Sequence, residues 1–291
     1  MGNIGVICDS TADFPRGVAE ALDLHILPVH IVVENRNYLH GIGIDNTRVI
    51  DHLKHNRTVF TTPFYPHECA DLFERLLGTY ERIVSLHLST HLSGCYKSAL
   101  AALRILPADQ EKRVTVIDLK SVSVSLGQAV QAAVLLLRSG CSPDALADRL
   151  TPFIRYNFLA FTVQKLKWLR KGGRVSALAA FVGSMLDVKP IIQLKDGRLI
   201  PVERQRGKKA ARQRLLDMAL KHCRLLKGRA DIWVAYADNL SEALRFSEKL
   251  AGLTGRPEES IKLVEIGATI SVHTGPRAIG VAVAPRLKRR P

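Results

Sequence analysis

The stretch RIVSLHLSTHLSGCYKSALAALRIL, residues 82–106, reads in three parts. Residues 82–88 are a β-branched and apolar run of strand length, 89–94 are small and polar, and from 95 to 105 the apolar positions follow helical spacing. A strand that feeds through a short loop into a helix is the repeating unit of an α/β sheet. The same order recurs on either side. Residues 5–8 form a short apolar strand ending in Asp9-Ser10-Thr11. A helix is expected to follow, with Pro15 in its first turn and Asp13 or a hydroxyl as its cap. Residues 26–33 read as one strand, and 45–53 and 67–80 as helices. Residues 114–117 form a strand ending at Asp118, and 121–137 a helix stopped near Gly140. This alternation predicts a mainly parallel sheet covered by helices. Right-handed crossovers put the loops after the strands along one edge, where such sheets bind ligands. The Asp9-Ser10-Thr11, Ser93-Gly94 and 118–121 loops should therefore be neighbours.

The second half changes character. Residues 158–163 read as a strand and 166–171 as a short helix ended by Gly172-Gly173. Residues 191–194 and 199–202 flank Asp196-Gly197, a strong hairpin signal. A basic amphipathic helix covers 208–222, followed by a strand at 231–237, a helix at 241–253, and strands at 262–266 and 279–283. The expected fold class is α/β: an N-terminal mainly parallel sheet covered by helices, plus a C-terminal α+β domain. The domains are read as 1–155 and 156–291, closely packed because no linker-like stretch separates them.

With 291 residues, 47% of them hydrophobic, the chain can bury a substantial core. The most apolar stretch, 122–137, is interrupted by Ser123, Ser125, Gln128 and Gln131, so it reads as a buried helix and not a membrane span. The opening MGNIGVICDS lacks a basic segment followed by an apolar one, and Val6 stands where a myristoylation signal needs Ser or Thr. The five cysteines are scattered, with no C-x-x-C, which fits a reducing compartment and argues against disulfides or zinc. A cytoplasmic protein is expected. The net charge of +15 is concentrated: between residues 165 and 214 fourteen lysines or arginines stand against Asp187, Asp196 and Glu203. Such a surface suits an acidic protein, an anionic membrane or nucleic acid, or is simply well solvated.

Phosphate-binding glycine loops, a zinc-binding H-E-x-x-H and a G-x-S-x-G elbow are all absent from the sequence. His52 with His55, and His87 with His91, read as solvated or structural histidines. A Ser93–His273–Asp9 nucleophilic set stays open, since triads assemble in space. A nucleic-acid reader would need a module that the basic stretch does not show. The remaining signal is a set of hydroxyls beside helix starts. Thr61-Thr62-Pro63 precedes a helix near His67, and Ser93-Gly94 precedes one near Cys95. Free backbone N–H groups, the helix dipole and added hydroxyls would make an anion site for a carboxylate or phosphate. Gly94 would let the backbone come close. Alternatively, Thr62 and Ser93 only cap their helices.

Several motifs, in one order, carry a resemblance. Residues 7–15 (ICDSTADFP), Thr61-Thr62-Pro63-Phe64-Tyr65-Pro66, residues 89–99 (STHLSGCYKSA) and residues 169–176 (LRKGGRVS) are among them. Lys189-Pro190-Ile191, Asp196-Gly197, Arg206-Gly207-Lys208-Lys209-Ala210 and His273-Thr274-Gly275-Pro276 complete the series. Together they resemble the DegV family of bacterial fatty-acid-binding proteins over nearly the whole chain. The resemblance implies a two-domain protein that binds a long-chain, palmitate-like fatty acid, with its acyl chain in an apolar tunnel. It implies a carboxylate site at Thr61, Thr62, Ser93 and Gly94, with His273 near the head group, and no cofactor, metal or catalysis of its own. It implies a separate fatty-acid kinase subunit that phosphorylates the bound carboxylate for phospholipid synthesis, with Arg206 helping to dock it. Transient contact with an anionic membrane during lipid exchange would suit the basic surface. Phe161, Val163, Leu178, Phe181, Val182, Met185, Leu186 and Ile266 are candidate lining residues. The alternative is a serine hydrolase using Ser93 and His273. Four departures stand out from the family pattern. Pro63-Phe64-Tyr65 replaces Gln-Pro-Ser and adds bulk near the expected head group. Cys95 stands for Thr and His40 for Asp. Arg277 stands where Gly is frequent, and its side chain is expected to point to solvent.

Overall fold

The computed structural model describes residues 3–174 and 187–287. Strands β1 (Ile4–Asp9), β2 (Leu24–Leu27), β6 (Arg82–His87) and β7 (Val114–Asp118) form one all-parallel sheet in the order β2-β1-β6-β7. The two central strands are buried along almost their whole length. They need continuous apolar runs, because helices cover both faces. Among these helices are α3 (Pro66–Leu77), α4 (Cys95–Leu103) and α6 (Ser123–Arg138), the last carrying the most apolar stretch of the chain as a largely buried helix. The loops after β1, β6 and β7 do meet. Ser89 N donates to Ser121 O at 2.9 Å, and Ser123 N donates to Thr11 O at 3.1 Å.

A second sheet takes its strands from later in the chain: β8 (Phe158–Thr162), β9 (Val188–Lys195), β10 (Arg198–Arg206), β11 (Ala230–Tyr236), β12 (Ile261–Glu265) and β13 (Ile279–Pro285). Its order is β10-β9-β8-β13-β11-β12, antiparallel except for the β11–β12 pair. The β9–β10 hairpin turns on Asp196 and Gly197, both with positive φ, as the Asp-Gly signal requires. Helices α9 (Gly207–Leu225) and α10 (Leu240–Thr254) pack on this sheet.

Two readings of the N-terminal region are corrected. Residues 26–33 are not one strand. The chain breaks at Pro28: β2 ends in the parallel sheet, and β3 (His30–Val33) starts a separate antiparallel sheet with β4 (Arg36–Leu39) and β5 (Val59–Thr62). Proline has no N–H for a ladder, and Ser10 takes up the groups beside it, its N bonding Leu27 O and its Oγ accepting from Val29 N. The helix expected at Pro15 is only α1 (Val18–Ala21), entered through Gly17 in a left-handed conformation. Asp13 does not cap it. Its buried carboxylate accepts from Ser123 Oγ and from Gly267 N at 2.8 Å.

Gly267 opens α11 (Ala268–Thr274), the helix that carries His273. At the same end Ala268 N donates to His40 Nε2 at 3.1 Å, while His40 Nδ1 lies 3.0 Å from both Ser10 Oγ and Thr269 Oγ1. The packing leaves no room for a side chain at position 267: a Cβ there would stand 2.6 Å from the His40 ring. Burial keeps His40 neutral, lowering its pKa from 6.5 to about 4 against the opposing pull of Asp9. Burial also raises Asp13 to about 7, against its hydrogen bonds from Ser123 and Gly267. The far end of α11 is pinned at Gly275, which has φ 72° and has the Trp168 ring of α8 (Leu166–Gly172) where a Cβ would be.

Two outcomes follow from this clamp. Gly275→Ala should destabilise the fold by more than about 2 kcal/mol in chemical denaturation, since it adds left-handed strain and a clash with Trp168. The second concerns pH. Unfolding releases His40 to take up a proton between about pH 4 and 6.5, so its burial lowers stability as pH falls through that window. Asp13 acts oppositely, because its folded carboxyl holds a proton up to about 7 that the unfolded chain gives up above 3.8. His40→Gln removes only the first effect. Relative to the parent, it should gain stability as pH drops from about 6.5 to about 4, read by denaturant midpoints along a pH series.

Candidate functional site

Between the loop edge of the parallel sheet and the face of the six-stranded sheet lies a cavity, with about 990 Å³ of empty space including its mouth. One wall is apolar sheet: Leu159 and Phe161 of β8, Leu199 of β10, and Ile279 of β13. The opposite wall comes from the strand-end loops, with Leu88, Leu92 and Val122. Of the lining residues expected from sequence, Phe161 and Ile266 are in the wall. Val163 is buried core outside it, and Leu178, Phe181, Val182, Met185 and Leu186 lie outside the described residues.

Thr61, Thr62, Ser93 and His273 all line this cavity. Thr61 and Thr62 sit on β5, an outer strand of the small sheet, where Thr61 pairs with Ile31 and Thr62 with His30. Position 61 is therefore reached from α11, and His273 Nε2 lies 2.9 Å from Thr61 Oγ1. The other ring nitrogen, Nδ1, has no hydrogen-bond partner among the described residues. It faces Gly172, where a Cβ would come within 2.5 Å. Burial first, and then the charge of Arg174, bring the His273 pKa from 6.5 down to about 4, so the ring is neutral. Ser93 stands at the entry to α4. Its Oγ accepts from Cys95 N at 3.4 Å and lies 3.2 Å from Cys95 Sγ. Gly94 is not in the wall. A Cβ there would meet Pro63 Cγ at 3.1 Å, so this glycine allows the Thr62-Pro63 turn to close against α4.

Arg174 was not singled out in the sequence. It lines the cavity, and its guanidinium donates to Leu92 O and Gly172 O. Among the described residues it is the one permanent cation in the wall. It fell inside the family motif at residues 169–176, just after a helix end where Gly173 takes φ 65°. Arg206 lies elsewhere, exposed at the start of α9 and outside the wall. Arg277 is also outside the wall. Its φ of 59° explains why glycine suits this position, and its half-exposed side chain reaches Glu242 at 3.6 Å instead of pointing only to solvent.

The arrangement offers hydroxyl, imidazole and guanidinium groups in the wall of a mainly apolar cavity. An anion with an apolar tail fits that chemistry. The hydrogen bonds do not link a nucleophilic triad: His273 bonds Thr61, Ser93 bonds Cys95, and Asp9 is occupied by Thr11, His87 and Leu88 N. Among the described residues there is no cluster of three metal-ligating side chains, and no helix is long and apolar enough to cross a membrane.

Comparison with known proteins agrees with this architecture. The family model described as "Uncharacterised protein, DegV family" matches residues 3–286. A DegV domain-containing protein of Staphylococcus aureus is 31% identical, over 96% of this chain and 97% of its own. A solved structure from Thermus thermophilus, described as fatty acid binding of a DegV family protein, superposes with a TM-score of 0.85. It is 30% identical and covers 97% of this chain and 99% of that one. DegV of Bacillus subtilis, described as a fatty acid binding protein, gives 0.84 at 27% identity, covering 98% of this chain and 100% of that one. The chain belongs to the DegV family.

Proposed function

We propose that this protein binds one long-chain fatty acid, with the carboxylate at Thr61, Thr62, Ser93 and His273 and the acyl chain along the apolar wall. The observation that carries this reading is the Thr61–His273 pair, with Thr62, Ser93 and Arg174, in the wall of a mainly apolar cavity between the two larger sheets. Relatives of the same fold described as fatty acid binding support it. Each buried CH₂ contributes about 0.8 kcal/mol, so a palmitate-like chain supplies most of the affinity. The head group needs only to avoid an unpaired buried charge. Arg174, in the same wall, supplies the countercharge, and the neutral His273 contributes through its bond to Thr61. Residues 1–155 and 156–291 act as two domains that close over the lipid.

The protein does no chemistry on the lipid itself. In the cytoplasm it presents the carboxylate to a separate fatty-acid kinase for phospholipid synthesis. The basic face, with Arg206, meets that kinase and touches anionic membrane during lipid exchange.

Mass spectrometry of an organic extract of the purified protein should find a near-stoichiometric fatty acid. Thr61→Ala with Ser93→Ala should lower affinity for added palmitate by at least about tenfold, the scale of losing hydrogen bonds to a charged group, with the fold intact. Unchanged affinity in the double variant rules out this head-group site. Arg206→Ala should leave palmitate affinity unchanged and slow phosphorylation by the kinase. Normal turnover would remove Arg206 from the docking face.

A further inference from the structure

Ser93 has one proton and two lone pairs. One lone pair accepts from the backbone N–H of Cys95, and Cys95 Sγ lies 3.2 Å from the same oxygen. The Cys95 side chain is fully buried and is not part of the cavity wall. Burial, with Asp9 adding to it, raises the thiol pKa, so Cys95 keeps its proton. A protonated thiol both donates and accepts. When its S–H points at Ser93 Oγ, both lone pairs of the serine are filled. The serine proton must then go elsewhere, and the open direction is the cavity that Ser93 lines.

We infer that Cys95 is a positioning residue: its thiol fills the second lone pair of Ser93 and makes the serine hydroxyl an obligate donor to an anionic head group. This rests on the fatty-acid reading and deepens it. A serine free to rotate can present its lone pairs or its proton, and lone pairs repel a carboxylate. An alcohol head group can donate as well as accept, so it is indifferent to that choice. The arrangement therefore favours an ionised acid over an alcohol of equal length, through a residue that never touches either.

The test uses the full chain with its lipid extracted, and palmitate and the matching fatty alcohol as probes. Cys95→Val keeps the side chain apolar and of similar size but removes the donor. It should weaken palmitate binding about fivefold, the scale of one neutral hydrogen bond, and leave alcohol binding unchanged. Cys95→Ser restores a donor and should restore palmitate binding. In a Ser93→Ala background, Cys95→Val should have no further effect. An equal loss for acid and alcohol, or the same loss without Ser93, would make Cys95 a packing residue and overturn the inference. If Cys95→Val does not fold, the comparison of Cys95→Ala with Cys95→Ser carries the same test. A parent protein that takes up neither probe sinks the fatty-acid reading itself, which a coupling failure in a palmitate-binding parent would not.

Discussion

The cavity exists because α11 is held against the first β–α loop by hydrogen bonds that admit no side chain between them. Asp13 and His40 accept from the N–H groups of Gly267 and Ala268, the first free donors of that helix. Asp13 belongs to the parallel sheet's loop edge, while Gly267 follows β12 of the second sheet. The contact therefore joins the two sheets at the point where they enclose a cavity between them. The same helix carries His273 to within 2.9 Å of Thr61 Oγ1. Buried polar groups of this kind cost free energy unless all are partnered, and here both acceptors are used.

The charge states follow from the same burial. His40 and His273 are neutral, and Asp13 holds its proton until about pH 7. A lining of neutral donors beside one guanidinium is a moderate anion site. Such a lining suits an anion held by directed hydrogen bonds, without the large desolvation cost of a buried cluster of cations. On the proposed reading, most of the affinity is spread along the acyl chain and little is locked in the head group.

Much of this was legible in the sequence, for physical reasons that differ by element. The parallel sheet showed because β1 and β6 are covered on both faces and must be continuously apolar. The β9–β10 turn showed because only Asp-Gly-like pairs accept two positive φ values in succession. The small sheet did not show. Arg36–Leu39 is a four-residue outer strand with Arg36 and Asn37 exposed, so it has no alternation to detect, and β3 was hidden in a run that Pro28 divides. The cavity hydroxyls were visible as Thr and Ser beside loop signals, yet their pairing was not: the Thr61–His273 bond spans 212 positions. Arg174 was seen only as part of the family motif at 169–176, since nothing local distinguishes a basic helix end beside a cavity from one that faces solvent.

The departures from the family pattern fall mainly on the scaffold. Phe64 turns away from the cavity into the core, 1% exposed and beside the His87 ring. Tyr65 lies outside, stacked on His67. Only Pro63 of that triplet is in the wall, where its ring packs against Gly94. So the bulk expected at the head group is largely elsewhere. His40 in place of an acid keeps an acceptor for Ala268 N, because its neutral ring presents a lone pair as a carboxylate would. Arg277 is a left-handed residue tied to Glu242 and Asp238, away from the donors. Two of these departures keep a scaffold role: His40 supplies an acceptor to a helix N–H, and Arg277 holds a positive-φ backbone position. Thr61, Thr62 and Ser93, by contrast, keep their hydroxyls in the cavity wall.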